Sequence, residues 1–312
     1  MSKVTNERVR LHYPLAKNPQ LIRGCWRQRR IRIVTGTIKC GSEGRMNMNW
    51  TPIQFDSKQP TNRVIQVDLA GETSIALVWC PAGEFLMGSP ETDHLAKDRS
   101  EKPQHKVILS QGYWIGQKPV TQQQWLLLME PDTILSSRGG DLPAYGMTWD
   151  AAKNFCSRLT TLLQSKNLLS ANQIIDLPTE AQWEYACRAG THTRWHFGDV
   201  IEQLDAYAWF KDNTNDGRLI HPVGIKRNNP WQLYDCYGSV SEWCIDNFIT
   251  YQQIEGGVVD PCIIKEGSTL HTVRGGNFHS PARWCSSSFR EFVESGNPFN
   301  EPTGVRIVCI EK

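Results

Sequence analysis

Apolar and polar residues alternate most sharply between positions 75 and 116, and four short strands are predicted there. Ile75-Ala76-Leu77-Val78-Trp79 and Glu84-Phe85-Leu86-Met87 flank the turn Pro81-Ala82-Gly83. Lys106-Val107-Ile108-Leu109 and Tyr113-Trp114-Ile115-Gly116 come next. The period then changes. Thr121 with Gln124 has the spacing of a capping box and opens a short helix. Thr148 caps a longer helix in which Ala151, Phe155, Leu159 and Leu162 recur every three or four residues. A third helix starts at Pro178-Thr179-Glu180-Ala181-Gln182, buries Trp183, Ala186 and Cys187, and stops near Gly190. Beyond Gly190 regular periodicity fades for more than a hundred residues, and Gly, Asn, Asp and Pro punctuate short aromatic segments. A loop-rich stretch of that length needs its own aromatic packing, bound ions, or both to hold it.

Upstream, Ile31, Ile33 and Thr35 alternate with Arg30, Arg32 and Val34 as in a half-buried strand, and the polar stretch 58–63, with Pro60, reads as a linker. The division expected is therefore a basic N-terminal arm and linker over 1–65 and one domain over 66–312. Charge supports it: the chain carries a net +2, yet residues 1–46 hold eleven Lys or Arg against two Glu. The run Arg27-Gln28-Arg29-Arg30-Ile31-Arg32 suits an acidic partner or nucleic acid, and equally a solvated edge hairpin. Hydrophobic content of 39% and charged content of 21% describe a soluble globular protein, with no apolar run long enough for a transmembrane segment. The first residues lack the apolar core of a secretory signal, so a cytoplasmic location is expected, with most of the ten cysteines reduced and buried. No CxxC pair, internal repeat or heptad run is present.

Seven segments carry a family likeness. They are Phe85-Leu86-Met87-Gly88-Ser89, Glu101-Lys102-Pro103-Gln104-His105, Pro119-Val120-Thr121-Gln122, the stretch 177–186 around Pro178-Thr179-Glu180, the stretch 233–243 ending in Glu242-Trp243, Val273-Arg274-Gly275-Gly276-Asn277, and Thr303-Gly304-Val305-Arg306-Ile307. In this order they resemble the formylglycine-generating enzyme family, also called sulfatase-modifying factors, over most of residues 75–308. The resemblance implies an α+β, C-type lectin-like fold of the formylglycine-generating-enzyme type, loop-rich with few regular elements. It also implies a Ca²⁺ site formed by Asp235, the carbonyls of Gly238 and Val240, and Glu242. Closely spaced hard oxygen donors in a glycine-containing loop suit that ion. A second family calcium site, near 206–216, lacks its usual first Asn and is not expected.

The resemblance breaks at the catalytic positions. The family oxidises a substrate cysteine to formylglycine with copper held by two cysteines after the Arg-Gly-Gly segment. Here the first of those positions is Ser280 and the second Cys285, the oxygen-pocket Ser is Asn277, and the Tyr before the second Cys is Trp284. A neutral hydroxyl is a poor ligand for Cu(I). The expected function is therefore a non-oxidising ligand-binding protein. Its binding face would lie in the loops over 278–302, where Phe278, His279, Ser280, Arg283, Trp284, Phe289, Phe292 and Phe299 offer aromatics and Arg beside small polar residues to a protein or peptide ligand. That placement is similar to the variable proteins of diversity-generating retroelements, which display a diversified face on this fold. In the bland reading the same aromatics simply close the core. The alternative is a copper-dependent formylglycine-generating oxygenase using Cys285 with a second thiol from Cys309, Cys244 or Cys262. His192 and His196 sit four apart in ordinary family loop sequence, with no metal role expected.

Overall fold

The alternating segments upstream of residue 116 form five strands: β1 (Val64–Ala70), β2 (Thr73–Cys80), β3 (Gly83–Met87), β4 (His105–Leu109) and β5 (Tyr113–Gly116). The structure is a computed structural model, and it describes residue 53 and residues 63–96, 99–134, 139–251, 257–296 and 302–312. All of these lie in a unit spanning Trp50–Lys312. The basic run, the strand expected at 31–35 and Phe299 fall outside the described residues. The folded chain starts before position 66. Val64 and Ile65 already belong to β1, and buried Ile53 donates its N–H to the Leu168 carbonyl at 2.9 Å.

The three helices are where their caps put them. They are α1 (Gln122–Leu126), α2 (Trp149–Ser165) and α3 (Glu180–Arg188). Thr121 and Thr179 close capping boxes with Gln124 and Gln182, and Thr148 accepts the Ala151 N–H. α3 ends near Gly190 as expected, with Ala189 capping it in the left-handed conformation at φ 49°. In α2 the inward stripe is Ala152, Phe155, Cys156, Leu159 and Leu163, so Ala151 and Leu162 sit at its margin and not at its centre.

The second half contains more strand than its periodicity announces: β6 (Gln173–Asp176), β7 (Ser241–Asn247), β8 (Val258–Val259), β9 (Leu270–Arg274), β10 (Arg290–Glu294), β11 (Thr303–Gly304) and β12 (Val308–Glu311). One sheet runs β1-β2-β5-β12-β6, so the last strand of the chain is inserted antiparallel between two earlier ones. A second runs β10-β9-β7-β11 and a third β3-β4-β8. β7 is buried on both faces, which explains why it shows no alternation. One core lies under the first sheet and α2; the other collects α3, β3 and β4 with loop residues Trp195, Tyr237 and Cys285.

The loops are held by aromatic packing and by buried ion pairs. Phe197 stacks on Tyr207 at 4.3 Å, and His196 stacks on Tyr237 at 5.5 Å. Three buried arginines pin strands to loops and to α3. Arg274 pairs with Glu184, Arg290 meets both Glu180 oxygens at 2.7 Å, and Arg306 meets both Glu242 oxygens at 2.8 Å. Such pairs offset the desolvation of both charges only when most of their hydrogen-bonding positions are filled, and Arg290 and Arg306 come nearest to that, each donating through all three nitrogens.

Candidate functional site

The site is built on the turn that leaves β9. Gly275 and Gly276 have φ of 94° and 70°, and a Cβ on Gly276 would lie 2.8 Å from the Trp284 carbonyl oxygen and 3.0 Å from the Cys285 sulfur. Only glycine lets the 284–285 backbone close over this turn. Asn277 then organises the next three residues. Its N–H donates to Ser280 Oγ at 3.0 Å, its Oδ1 accepts from the His279 N–H at 2.9 Å, and its Nδ2 donates to Ser241 Oγ at 3.1 Å. The Ser280 N–H returns to the Asn277 carbonyl at 2.8 Å.

These bonds enclose a pocket of about 70 Å³ lined by Ser241, Val273, Asn277, His279, Ser280, Trp284, Phe289 and Glu291. A space of that size takes a side chain, not a drug-sized molecule. Around it, His279 and Arg283 are exposed and Trp284 is half-buried, whereas exposed Phe292 lies on the other side of β10. Arg283 lies over the Trp284 ring at 5.7 Å, and Trp284 stacks on Phe289 at 5.9 Å. Phe248 backs exposed Phe292 at 5.1 Å.

Several expected face residues turn inward. Phe278 is buried against Tyr145, with ring centroids 5.7 Å apart, and presents no face to solvent. Phe289 is buried as the pocket floor, and Ser280 is buried with its hydroxyl held by Asn277. For Phe278 the core-closing reading is the correct one. Ser241, Val273 and Glu291 line the pocket without having been singled out in the sequence. Glu291 was legible in principle, since it lies two residues beyond Phe289 on an emerging strand and so shares its side. Ser241 and Val273 arrive through the β7–β9 pairing, which leaves no local mark.

Cys285 is not at the pocket surface. It is fully buried, its carbonyl accepts from Trp195 Nε1, and burial pushes its thiol well above the ordinary range. Arg283 and Trp284 therefore do not activate it. All eight described cysteines are free; Cys262 is exposed, and Cys309 lies in the other core. A neutral buried thiol and a hydroxyl already engaged by a backbone N–H do not make a Cu(I) donor set, so copper does not fit this site.

The calcium set fares differently. Asp235 sits at φ 55° with Oδ2 accepting the Gly224 N–H at 2.6 Å, while its Oδ1 is buried without a hydrogen-bond partner. Gly238, at φ 70°, packs so closely on the Trp209 backbone that no Cβ fits, which fixes the loop. Glu242 is not a free ligand: it accepts from Arg306 twice and from Trp183 Nε1 at 2.6 Å, leaving one of about four lone-pair sites. Of the expected side-chain donors, the Asp235 oxygen is the one left wholly open, and it is of the hard type that suits Ca²⁺.

Residues 66–310 match the family model described as the sulfatase-modifying factor enzyme 1-like domain. The serine/threonine-protein kinase pkn1 of Chlamydia caviae is 29% identical over 196 residues, covering 54% of this chain but 27% of the kinase, so the chain spans about a quarter of that relative. The formylglycine-generating enzyme of Streptomyces coelicolor is 31% identical over 141 residues, covering 41% of this chain and 43% of the enzyme. Among solved structures, Treponema denticola variable protein 1 superposes with a TM-score of 0.66 at 25% identity, over 80% of this chain and 99% of that one.

Proposed function

The chain belongs to the sulfatase-modifying factor enzyme 1-like family, and from that premise we propose that it is a non-oxidising binding protein which takes a protein or peptide at its C-terminal face. One observation carries the reading: the Ser280 hydroxyl is tied to the Asn277 N–H, and the only cysteine at the family positions is fully buried. Where the family brings two thiolates to a substrate, this chain has a small pocket with mixed polar and apolar walls. Beside it, Arg283 over Trp284 and exposed His279 have the make-up of a recognition surface. The likeness to Treponema denticola variable protein 1 supports binding on this scaffold, and a diversified 278–302 segment is the finer form of the proposal.

A Ca²⁺ ion held by Asp235, the Gly238 and Val240 carbonyls and Glu242 belongs to the same reading. It would supply no chemistry, only rigidity, by fixing the loop that leads into Ser241 of the pocket.

The experiment incubates the protein with Cu(I), oxygen and a cysteine-containing peptide beside a competent family enzyme, and reads the peptide by mass spectrometry. No conversion and no retained copper are expected. Formylglycine in the peptide would overturn the proposal. In parallel, a displayed peptide library should yield binders that the His279→Ala/Arg283→Ala double variant loses; enrichment indifferent to that variant would move the site elsewhere. For the finer proposal, the flanking DNA should hold a reverse transcriptase gene and a near-copy of the codons for 278–302.

A further inference from the structure

The strand β10 separates two pockets. Phe289 and Glu291 line the one described above, whereas Arg290 between them lines a second, as alternation of side chains along a strand dictates. The second cavity measures about 160 Å³. Its walls are mostly apolar, with Met87, Val258, Pro261 and Ile263 contributing from β3, β8 and the loop after β8. A dry cavity of ~150 Å³ accepts a benzene ring.

Its polar groups are unevenly used. The Arg290 guanidinium donates through Nε and Nη2 to Glu180 and through Nη1 to the carbonyls of Ile249 at 2.7 Å and Ser100 at 3.1 Å. Four of its five N–H groups are thereby spent. The Tyr251 hydroxyl donates to Glu180 Oε1 at 3.1 Å. His105 Nδ1 lies 3.0 Å from the Pro103 carbonyl, which only accepts, so in the neutral ring Nδ1 carries the hydrogen and Nε2 is left as an acceptor. Asp246 accepts one backbone N–H on each oxygen, from Glu180 and Ile263, both at 2.8 Å. Two of about four lone-pair sites on that carboxylate stay open. Donors in this cavity are committed and acceptors are left over.

The charges point the same way. Glu180 is neutralised by Arg290, but among the described residues no Lys, Arg or His stands within ion-pair distance of Asp246. Burial and the neighbouring Glu180 charge push Asp246 up to about 7, as expected of a carboxylate that lacks a cation.

We propose that this cavity binds a small primary amine: an ammonium group, paired with Asp246 and within reach of His105, on an apolar body about the size of one aromatic ring. The site is separate from the C-terminal face and does not rest on the function proposed for it.

Titration calorimetry with benzylamine, benzyl alcohol and benzoate tests this, at a pH above the Asp246 midpoint of about 7. Benzylamine should saturate one site, benzyl alcohol should bind at least about tenfold more weakly through loss of the charge-assisted bond, and benzoate should not bind. Val258→Phe, which fills the cavity from its rim, should abolish benzylamine binding. Asp246→Asn should weaken the amine about tenfold and spare the alcohol. Should that variant unfold, the alcohol comparison and Val258→Phe decide the matter. Absence of saturable benzylamine binding, equal binding of all three probes, or binding undiminished in Val258→Phe would each overturn the proposal.

Discussion

Glu242 shows how much one buried carboxylate does here. It takes both hydrogen bonds of the Arg306 fork and that of Trp183, so it joins β7, the C-terminal segment and α3 at a single point. Arg306→Leu leaves a buried negative charge without its partner and should destabilise the protein by ~3–5 kcal/mol in denaturant unfolding, whereas adding Glu242→Leu should recover most of that loss. Asp246 gives a pH signature. Its carboxyl is raised to about 7 in the fold, under burial and the Glu180 charge, with Arg290, His105, Tyr251, Cys244 and Cys262 as its other titratable or charged neighbours. A raised carboxyl contributes stability that is complete below its ordinary value of 3.8 and lost as pH rises to about 7. At the buried Glu184, desolvation is outweighed by Arg188 and Arg274, which hold it below its ordinary value. It acts with the opposite sign, so only a difference isolates Asp246. Wild-type melting temperature should fall relative to Asp246→Asn between those two pH values and run parallel outside them.

At the scale of elements, the caps are local and were legible. Thr121, Thr148 and Thr179 each accept an N–H three residues on, at 3.1–3.2 Å, because the hydroxyl satisfies a donor that any helix start leaves open. The inward face of α2 was legible only to within one residue. A sequence stripe built on Ala151 and Leu162 fits the period as well as one built on Ala152 and Leu163, and only packing against β6 and the core chooses. Leu163→Ala should cost about 2–5 kcal/mol and Leu162→Ala less than half as much, measured by chemical denaturation. Strands β7 and β9 escaped notice because both faces are covered for much of their length, so no polar face interrupts the apolar and ion-paired residues.

On the scale of the whole molecule, loops between 190 and 290 converge on a few anchor points, and a cation at Asp235 would add one more. Chelator should lower the melting temperature of the calcium-loaded protein, and Asp235→Ala should remove that difference while Asp216→Ala preserves it. An unchanged melting curve on chelation would remove the ion from the fold. No helix among the described residues is long and apolar enough to cross a membrane. The C-terminal strand β12 lies between β5 and β6, so the first sheet closes only when residues nearly two hundred positions apart meet. Nothing in a local window encodes such a pairing.

By itself the sequence determined the family, the three capped helices and the strands between 75 and 116, because each rests on residue identity at fixed short spacing. Only the tertiary structure decided that Phe278 and Phe289 turn inward while His279 and Phe292 remain outside, that Cys285 is sealed from solvent, and that Glu242 is claimed by Arg306. It also decided that Asp246, Glu180 and His105 line one cavity. Burial and pairing are set by what other parts of the chain bring alongside, and a hydroxyl, a thiol or a carboxylate acquires its chemistry from those neighbours.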